Sequence, residues 1–515
     1  MKVGKLTRPR FIFLLVLGIG IVARTWMFGY LPPGLNQDEA SSGVDAYSLL
    51  HYGVDHNGVS FPVVLVSFGS GQNSLYSYMM IPFVAIGGLT PITVRLPMLI
   101  SGILSLPLVF YLGMRLAGSA FGLLGMFFIA ISPWHILLSR WGLESNLLPF
   151  FFLLGFVSLL KTSTNNYWFA AACLCFAICC YAYGTAYVVI PLMVACSSLI
   201  LLASNRVRWK ALLLGWVVLL VVVTPIIMFV TVNTYRWNSV HWGPVTVPRL
   251  PSEARYVEVS ALFHSNWLSE LRNNSVNAIE LLWSQTDHLI WNVIDPYGYF
   301  YTFTFPLAIM GVIGLSPSRN DGNKSDKLLF LSWIVACVPI CVLLDININR
   351  VNVLFIPLII CMAYPLVWLM KVARPLFWMF IGVLSIAFGV WFGALVDEPY
   401  QLQAKHAFSD GLLPAIEVAR RTADVPICVT GQPNMPHIYA LFVERTNPRE
   451  YLASVRYVDA HSPFRQVISF GRYYFGLENC PSNPRTIYVL KDEVLVNSSI
   501  MYDVQKFSIF SVYVP

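Results

Sequence analysis

Eleven apolar runs divide the first 395 residues, at roughly 11–30, 92–113, 119–138, 147–160, 167–184, 186–203, 211–231, 299–315, 328–344, 352–370 and 375–395. Many approach or exceed the ~18–20 residues that carry a helix across a hydrocarbon core. In lipid only a helix or a closed barrel satisfies its own backbone polar groups, and runs of this length are helical. The expected fold class is therefore a polytopic α-helical membrane protein with about 11 transmembrane helices. Length alone would allow several soluble domains in 515 residues, but 57% hydrophobic against 11% charged residues excludes that for most of the chain. The run Phe11–Tyr30 is long and no small-x-small site follows it, so it reads as an anchor rather than a cleaved signal.

Lysine and arginine placement sets the expected orientation. Lys2, Lys5, Arg8 and Arg10 put the N-terminus in the cytoplasm. The loops with Arg115; Lys161; Arg206, Arg208 and Lys210; Arg319, Lys324 and Lys327; and Lys371 and Arg374 then share that side. Ser74–Leu89 is short and holds Pro82 and Gly87-Gly88. Were it to span, every later basic loop would invert, so it is expected to be interfacial or re-entrant. Residues 31–90 become a first external loop and 232–298 a second one, long enough to be functional. The second holds Trp237, Trp242, Trp267, Trp283 and Trp291, suited to an interface or a sugar platform. Beyond residue 396 the composition turns polar. Helix-like Phe408–Thr422 and His437–Glu444 alternate with strand-like 426–430, 486–490 and 507–514, predicting a small extracytoplasmic α/β domain over 397–515 after a transmembrane module over 1–396. Of ten cysteines, eight fall in apolar runs, where thiols act as small hydrophobes. Cys428 and Cys480 lie in the external domain, where pairing or free thiols are both open.

Chemistry concentrates at the outer boundary. Asp38 and Glu39 follow the first run directly, and Arg95, Arg140, Glu144 and Arg350 stand at other helix ends on the same side. Carboxylates there are costly to desolvate, which suggests a site. One carboxylate can act as general base toward a hydroxyl, while arginines clamp a lipid phosphate and stabilise its charge as it leaves. Blander readings stand beside these: Arg140 pairing with Glu144, Arg350 pairing with Asp345 or snorkelling, Asp45 and Asp55 as solvated loop residues, His51, His56, His241 and His264 as surface or structural groups, and Tyr181, Tyr183 and Tyr187 as core. No basic, aromatic-interleaved patch suits nucleic acid.

In this order Asp38-Glu39, Val94-Arg95-Leu96-Pro97, Ile131-Ser132-Pro133-Trp134-His135, Ser139-Arg140-Trp141-Gly142-Leu143-Glu144 and Asn349-Arg350 before Pro357 resemble the GT-C superfamily of membrane glycosyltransferases. The bacterial branch akin to protein O-mannosyltransferases and the lipid A aminoarabinose transferase is the nearest in pattern. The resemblance implies a sugar donor on a polyprenyl phosphate, an external glycan, lipid or protein acceptor, and inversion at the anomeric carbon. It implies Asp38 as the base, Glu39 as its support, and Arg350 at the donor phosphate, in a plasma-membrane enzyme. Aminoarabinose transferases carry an Arg soon after the acidic pair and a Lys before the next amphipathic helix. Ser41-Ser42 and Gly71-Gln72-Asn73 stand in those regions here, which argues against that acceptor chemistry. No cofactor is expected to be obligatory, although a carboxylate pair could hold a divalent cation. The competing classes are a transporter or flippase of a lipid-linked saccharide and a non-catalytic assembly protein. A transporter tends to show pseudo-symmetric halves and ionisable residues near the bilayer midplane, whereas these runs show no repeat and carry almost no charge.

Overall fold

The computed structural model describes residues 7–318, 321–422, 424–493 and 501–515. Lys2, Lys5 and Arg319 lie outside them. Among the described residues, seven helices are long and apolar enough to cross a bilayer: Pro91–Ala117, Glu144–Lys161, Ala186–Ala203, Trp209–Thr234, Lys324–Leu343, Ile348–Val372 and Arg374–Val396. The chain is a multi-pass membrane protein. The stretches 119–138, 167–184 and 299–315 are apolar but form shorter helices. The first of them is two helices rather than one. Ser132 adopts extended geometry (ψ 122°) and caps a new helix at Pro133, because a residue before proline is disfavoured in the α region.

Helix α1 (Thr7–Thr25) leads through a turn into α2 (Gln37–Tyr52). The hairpin of β1 (Val64–Leu65) and β2 (Gln72–Asn73) then precedes α3 (Leu75–Gly87), which packs between α2 and α4 (Pro91–Ala117). Next come α5 (Ser119–Ile131), α6 (Pro133–Leu138), α7 (Leu148–Lys161), α8 (Trp168–Ala182), α9 (Ala186–Ala203) and α10 (Trp209–Thr234). The second long loop folds as a hairpin of β3 (Val240–Trp242) and β4 (Val245–Val247), a short α11 (Arg255–Val259) and the amphipathic α12 (Trp267–Ser284). On the face carrying the basic loops, Arg115 and Arg206 both grip Asp326, through Nη2 at 2.9 Å and Nη1 at 2.5 Å. Three inter-helix connections are thereby tied together.

The C-terminal part is a seven-stranded mixed sheet. Its centre is β5 (Ile427–Val429), flanked in parallel by β8 (Tyr473–Phe475) and β9 (Ile487–Lys491). On one side β6 (Arg456–Tyr457) and β7 (Val467–Phe470) extend it. On the other, β10 (Asp503–Phe507) and β11 (Phe510–Val514) form a hairpin where the sequence suggested one strand. The helix expected over 408–422 starts at Leu412, since Gly411 sits at φ +91° with Phe507 O where a Cβ would fall. Cys428 and Cys480 are disulfide-bonded, fastening the central strand across a separation of 52 residues. Cys428→Ser is expected to cost about 2–4 kcal/mol. A lower melting temperature for the variant, equal to that of the wild type in reductant, is the measurement that checks it.

Asp45 and Asp55, read from sequence as solvated loop or cap residues, and His56, read as a structural or surface group, are all buried. His56 Nδ1 lies 2.6 Å from Asp45 Oδ1, and Asp55 accepts the Val59 amide at 2.8 Å. Burial, with the Asp45 charge beside it, pushes the Asp55 carboxyl up to about 7. The cluster is roofed by the C-terminal part, where Arg465 reaches Asn57 Oδ1 at 2.6 Å. The sequence read a solvated turn because the covering residues are some 400 positions away.

Candidate active site

Helix α2 begins with a capping box. Asn36 Oδ1 accepts the Asp38 amide at 3.0 Å, and Glu39 Oε2 accepts the Asn36 amide at 3.0 Å. Glu39 then spends its remaining capacity. Its Oε1 takes Arg95 Nε at 2.7 Å and the Gly142 amide at 2.7 Å, and its Oε2 takes Arg95 Nη2 at 2.9 Å. Arg95 also donates to Pro32 O and Gly34 O, both at 2.8 Å. Both side chains are fully buried. Glu39 and Arg95 thus hold the 31–90 loop against α4 and the 139–146 turn, and neither presents a free polar atom to a substrate.

Arg140 is likewise turned inward. Its guanidinium donates to Ala23 O, Arg24 O and Trp26 O, carbonyls left open at the end of α1, and to Leu31 O in the turn that follows, at 2.6–3.3 Å. Among the described residues it makes no pair with Glu144, and it lines neither of the two cavities that Glu144 lines. Arg24, unnoticed in the sequence, complements it. It is fully buried and donates to Gly20 O, Ala130 O and Ile129 O, with His135 Nδ1 at 2.7 Å. Of the six residues singled out from the sequence, Asp38, Glu144 and Arg350 reach a common space, whereas Glu39, Arg95 and Arg140 do not.

That space has two parts. A polar chamber of about 220 Å³ is lined by Asp38, Glu144, Arg255, Arg350, Trp141 and Trp291 among others. An apolar cavity of about 560 Å³ runs along α8, α9 and α10, past Pro191, Trp216, Leu220 and Val223. Glu144, Tyr183, Arg255 and Arg350 belong to both linings, so the two cavities meet at this rim. Of the five tryptophans in the long loop only Trp291 enters the lining; Trp237, Trp242, Trp267 and Trp283 are exposed.

Within the chamber the side chains differ in how far they are committed. Among the described residues, no hydrogen bond is made to the Asp38 carboxylate, in contrast to the saturated Glu39. Burial pushes the Asp38 carboxyl above the usual aspartate range; Arg255 draws it down and the Glu39 charge adds to the rise. Glu144 faces Asp38 and Arg255, and its Oε2 is buried without a partner. Arg350 Nη1 holds Asp345 Oδ2 at 2.7 Å while still facing the rim, so the pairing weighed from sequence and the chamber position coexist. Arg255 was missed. It sits in an aperiodic loop at the head of a five-residue helix, anchored by its amide on Ser70 O at 3.1 Å, with its guanidinium over the Phe464 ring. Among the described residues no group of three or more His, Cys, Asp or Glu converges on a metal-holding geometry. The Asp38–Glu39 pair does not suit a shared cation, since Glu39 has no unengaged lone pair.

No protein-family profile matches the chain, and no curated protein sequence does. Solved structures do. ArnT from Cupriavidus metallidurans bound to undecaprenyl phosphate superposes with a TM-score of 0.58 at 12% identity, over 99% of this chain and 98% of that one. The apo state of the same protein gives 0.54 at 11% identity, over 98% and 97%. The Archaeoglobus fulgidus oligosaccharyltransferase in the apo form gives 0.50 at 11% identity, over 87% of this chain, which spans only 65% of the archaeal protein's length. What the likeness establishes is the architecture: the chain shares the fold of these two proteins.

Proposed function

We propose that this protein transfers a sugar from a polyprenyl-phosphate donor to a hydroxyl of a glycan, lipid or protein acceptor at the outer face of the plasma membrane, with inversion. The observation that carries the reading is the junction of an apolar cavity with a polar chamber at a rim of two arginines and a carboxylate. A lipid phosphate has the same division into an apolar tail and a charged head. In this reading eleven helices cross the membrane, counting α1 and the three shorter apolar stretches. The N-terminus and the basic loops face the cytoplasm, while residues 31–90, 232–298 and 397–515 face outward.

The isoprenoid lies along α8–α10, and Arg255 and Arg350 hold the phosphate. The acceptor oxygen attacks the anomeric carbon as Asp38 takes its proton. The carbon–oxygen bond to phosphate breaks, and the bonding pair leaves with polyprenyl phosphate. Arg255 and Arg350 stabilise the added charge, so the leaving group needs no proton. Glu144, with a free buried oxygen, accepts a hydrogen bond from a donor sugar hydroxyl.

The test uses purified protein, radiolabelled polyprenyl-phosphate sugars and a membrane extract as the acceptor source. The wild type moves label into a new acceptor. Arg255→Ala lowers kcat/KM by about 100- to 1000-fold, in the range for removing a donor that stabilises developing charge. Movement of the labelled lipid between leaflets without any transfer would replace this reading with the flippase.

A further inference from the structure

A third cavity, of about 470 Å³, is lined by Arg236, Arg249, Arg465, His461, Asn57 and Leu452 among others, and no carboxylate is in its lining. It shares no residue with the two cavities of the proposed donor site. Three separate parts of the chain build it: the long external loop, the first external loop and the C-terminal sheet region. None of its arginines is in an ion pair among the described residues. Arg236 Nη1 donates to Ser252 O at 2.9 Å. Arg465 Nη2 donates to Asn57 Oδ1, with its guanidinium over the Tyr457 ring. Among the described residues the exposed Arg249 guanidinium makes no hydrogen bond. Two acids stand just outside the lining: Asp459 Oδ1 lies 4.0 Å from the exposed His461 ring, and Asp55 Oδ2 accepts the Val66 amide at 3.4 Å.

Only one layer of chain separates this pocket from the polar chamber. Residues 66–70 run against 463–465, with Arg465 N on Phe68 O at 2.8 Å and Ser70 N on Pro463 O at 3.1 Å. Ser67, Phe68 and Phe464 line the chamber, whereas their chain neighbours Val66 and Arg465 line the basic pocket. An extended molecule passing over this layer would hold its hydroxyl at Asp38 and a second group among the arginines. Guanidinium forks match phosphate oxygens two at a time, and the pocket is far larger than one carboxylate requires.

We propose that this pocket binds a phosphate-bearing part of the acceptor, so that the enzyme selects acceptors that are anionic at a distance from the hydroxyl they offer. The proposal rests on the glycosyltransferase reading, and its test separates the two. Full-length protein in phosphatidylcholine nanodiscs is titrated with pyrophosphate by calorimetry, as wild type, Arg249→Ala and Arg236→Ala/Arg249→Ala. The single variant removes a side chain that bonds nothing, so folding is preserved if the double variant fails.

Pyrophosphate binding is expected to weaken about tenfold in the double variant and by a smaller factor in the single one, in keeping with charge-assisted contacts. The acceptor KM rises in parallel, with the donor KM and kcat within about twofold of wild type. Unchanged pyrophosphate affinity overturns the proposal, as does a donor KM that rises with the acceptor KM. Loss of pyrophosphate binding when discs contain 30% phosphatidylglycerol assigns the pocket to bilayer headgroups and overturns the acceptor role. A wild type that transfers no sugar, yet binds pyrophosphate through Arg249, sinks the glycosyltransferase reading and the acceptor role with it, leaving an anion site.

Discussion

Asp38→Asn is expected to lower transfer by about 100- to 10,000-fold, the range for losing a positioned general base, while leaving the melting temperature near that of the wild type. The structure gives the reason for the second half of that statement. The Asp38 side chain anchors nothing: no hydrogen bond reaches its carboxylate among the described residues, and its backbone amide makes the capping contact with Asn36 that asparagine would keep. The acid limb of kcat/KM should follow the same group. Asp38 must be ionised to accept a proton, and burial raises its pKa, so activity rises as pH climbs through a midpoint above the ordinary aspartate range. Arg255 opposes that rise, so in Arg255→Ala the limb moves to still higher pH. A limb at the same pH in both proteins would remove Asp38 from the role of base. Asp38→Asn with full activity would remove it outright.

Much of the architecture could be read from the sequence because it rests on local signals. Apolar runs and basic loops place the helices, and His437–Glu444 is a helix at the residues expected. The errors lie where a local signal was overridden. Pro133 splits one apolar run into two helices. Gly411 delays another helix because the β10–β11 turn presses on it.

The site was half legible for a related reason. Asp38 and Glu39 are neighbours, and sequence reading treats them as a pair. Helical geometry turns successive side chains about 100° apart, so one faces the chamber and the other faces α4. Arg95 and Arg140 stood out as charges at helix ends, but Arg140 binds only main-chain carbonyls and Arg95 adds two of them to its pair with Glu39, and no residue type announces such partners. Arg255 was hidden by the converse problem. Its loop has no periodicity, and its importance comes from Ser70, Phe464 and Asp38, all distant in the chain.

Glu39→Ala is expected to damage folding rather than chemistry, and the difference from Asp38 distinguishes the two adjacent carboxylates. Removing Glu39 leaves the Arg95 guanidinium buried without a counter-charge and strips acceptors from the Gly142 and Asn36 amides. Breaking a buried pair from one side typically costs about 3–5 kcal/mol, and the loss of the reciprocal capping-box contact to the Asn36 amide adds to that cost. Arg95→Met exposes the opposite fault, a buried carboxylate with only amides for company, and should cost a similar amount. The double variant Glu39→Leu/Arg95→Met removes both charges and is expected to lose clearly less than the sum of the singles, because neither partner is left unpaired. Thermal melts of the four proteins in one detergent provide the cycle. Single variants that both melt within a degree or two of wild type would mean that water reaches this pair. Glu39 would then be free to meet substrate, and the division of labour drawn here between Glu39 and Asp38 would fail.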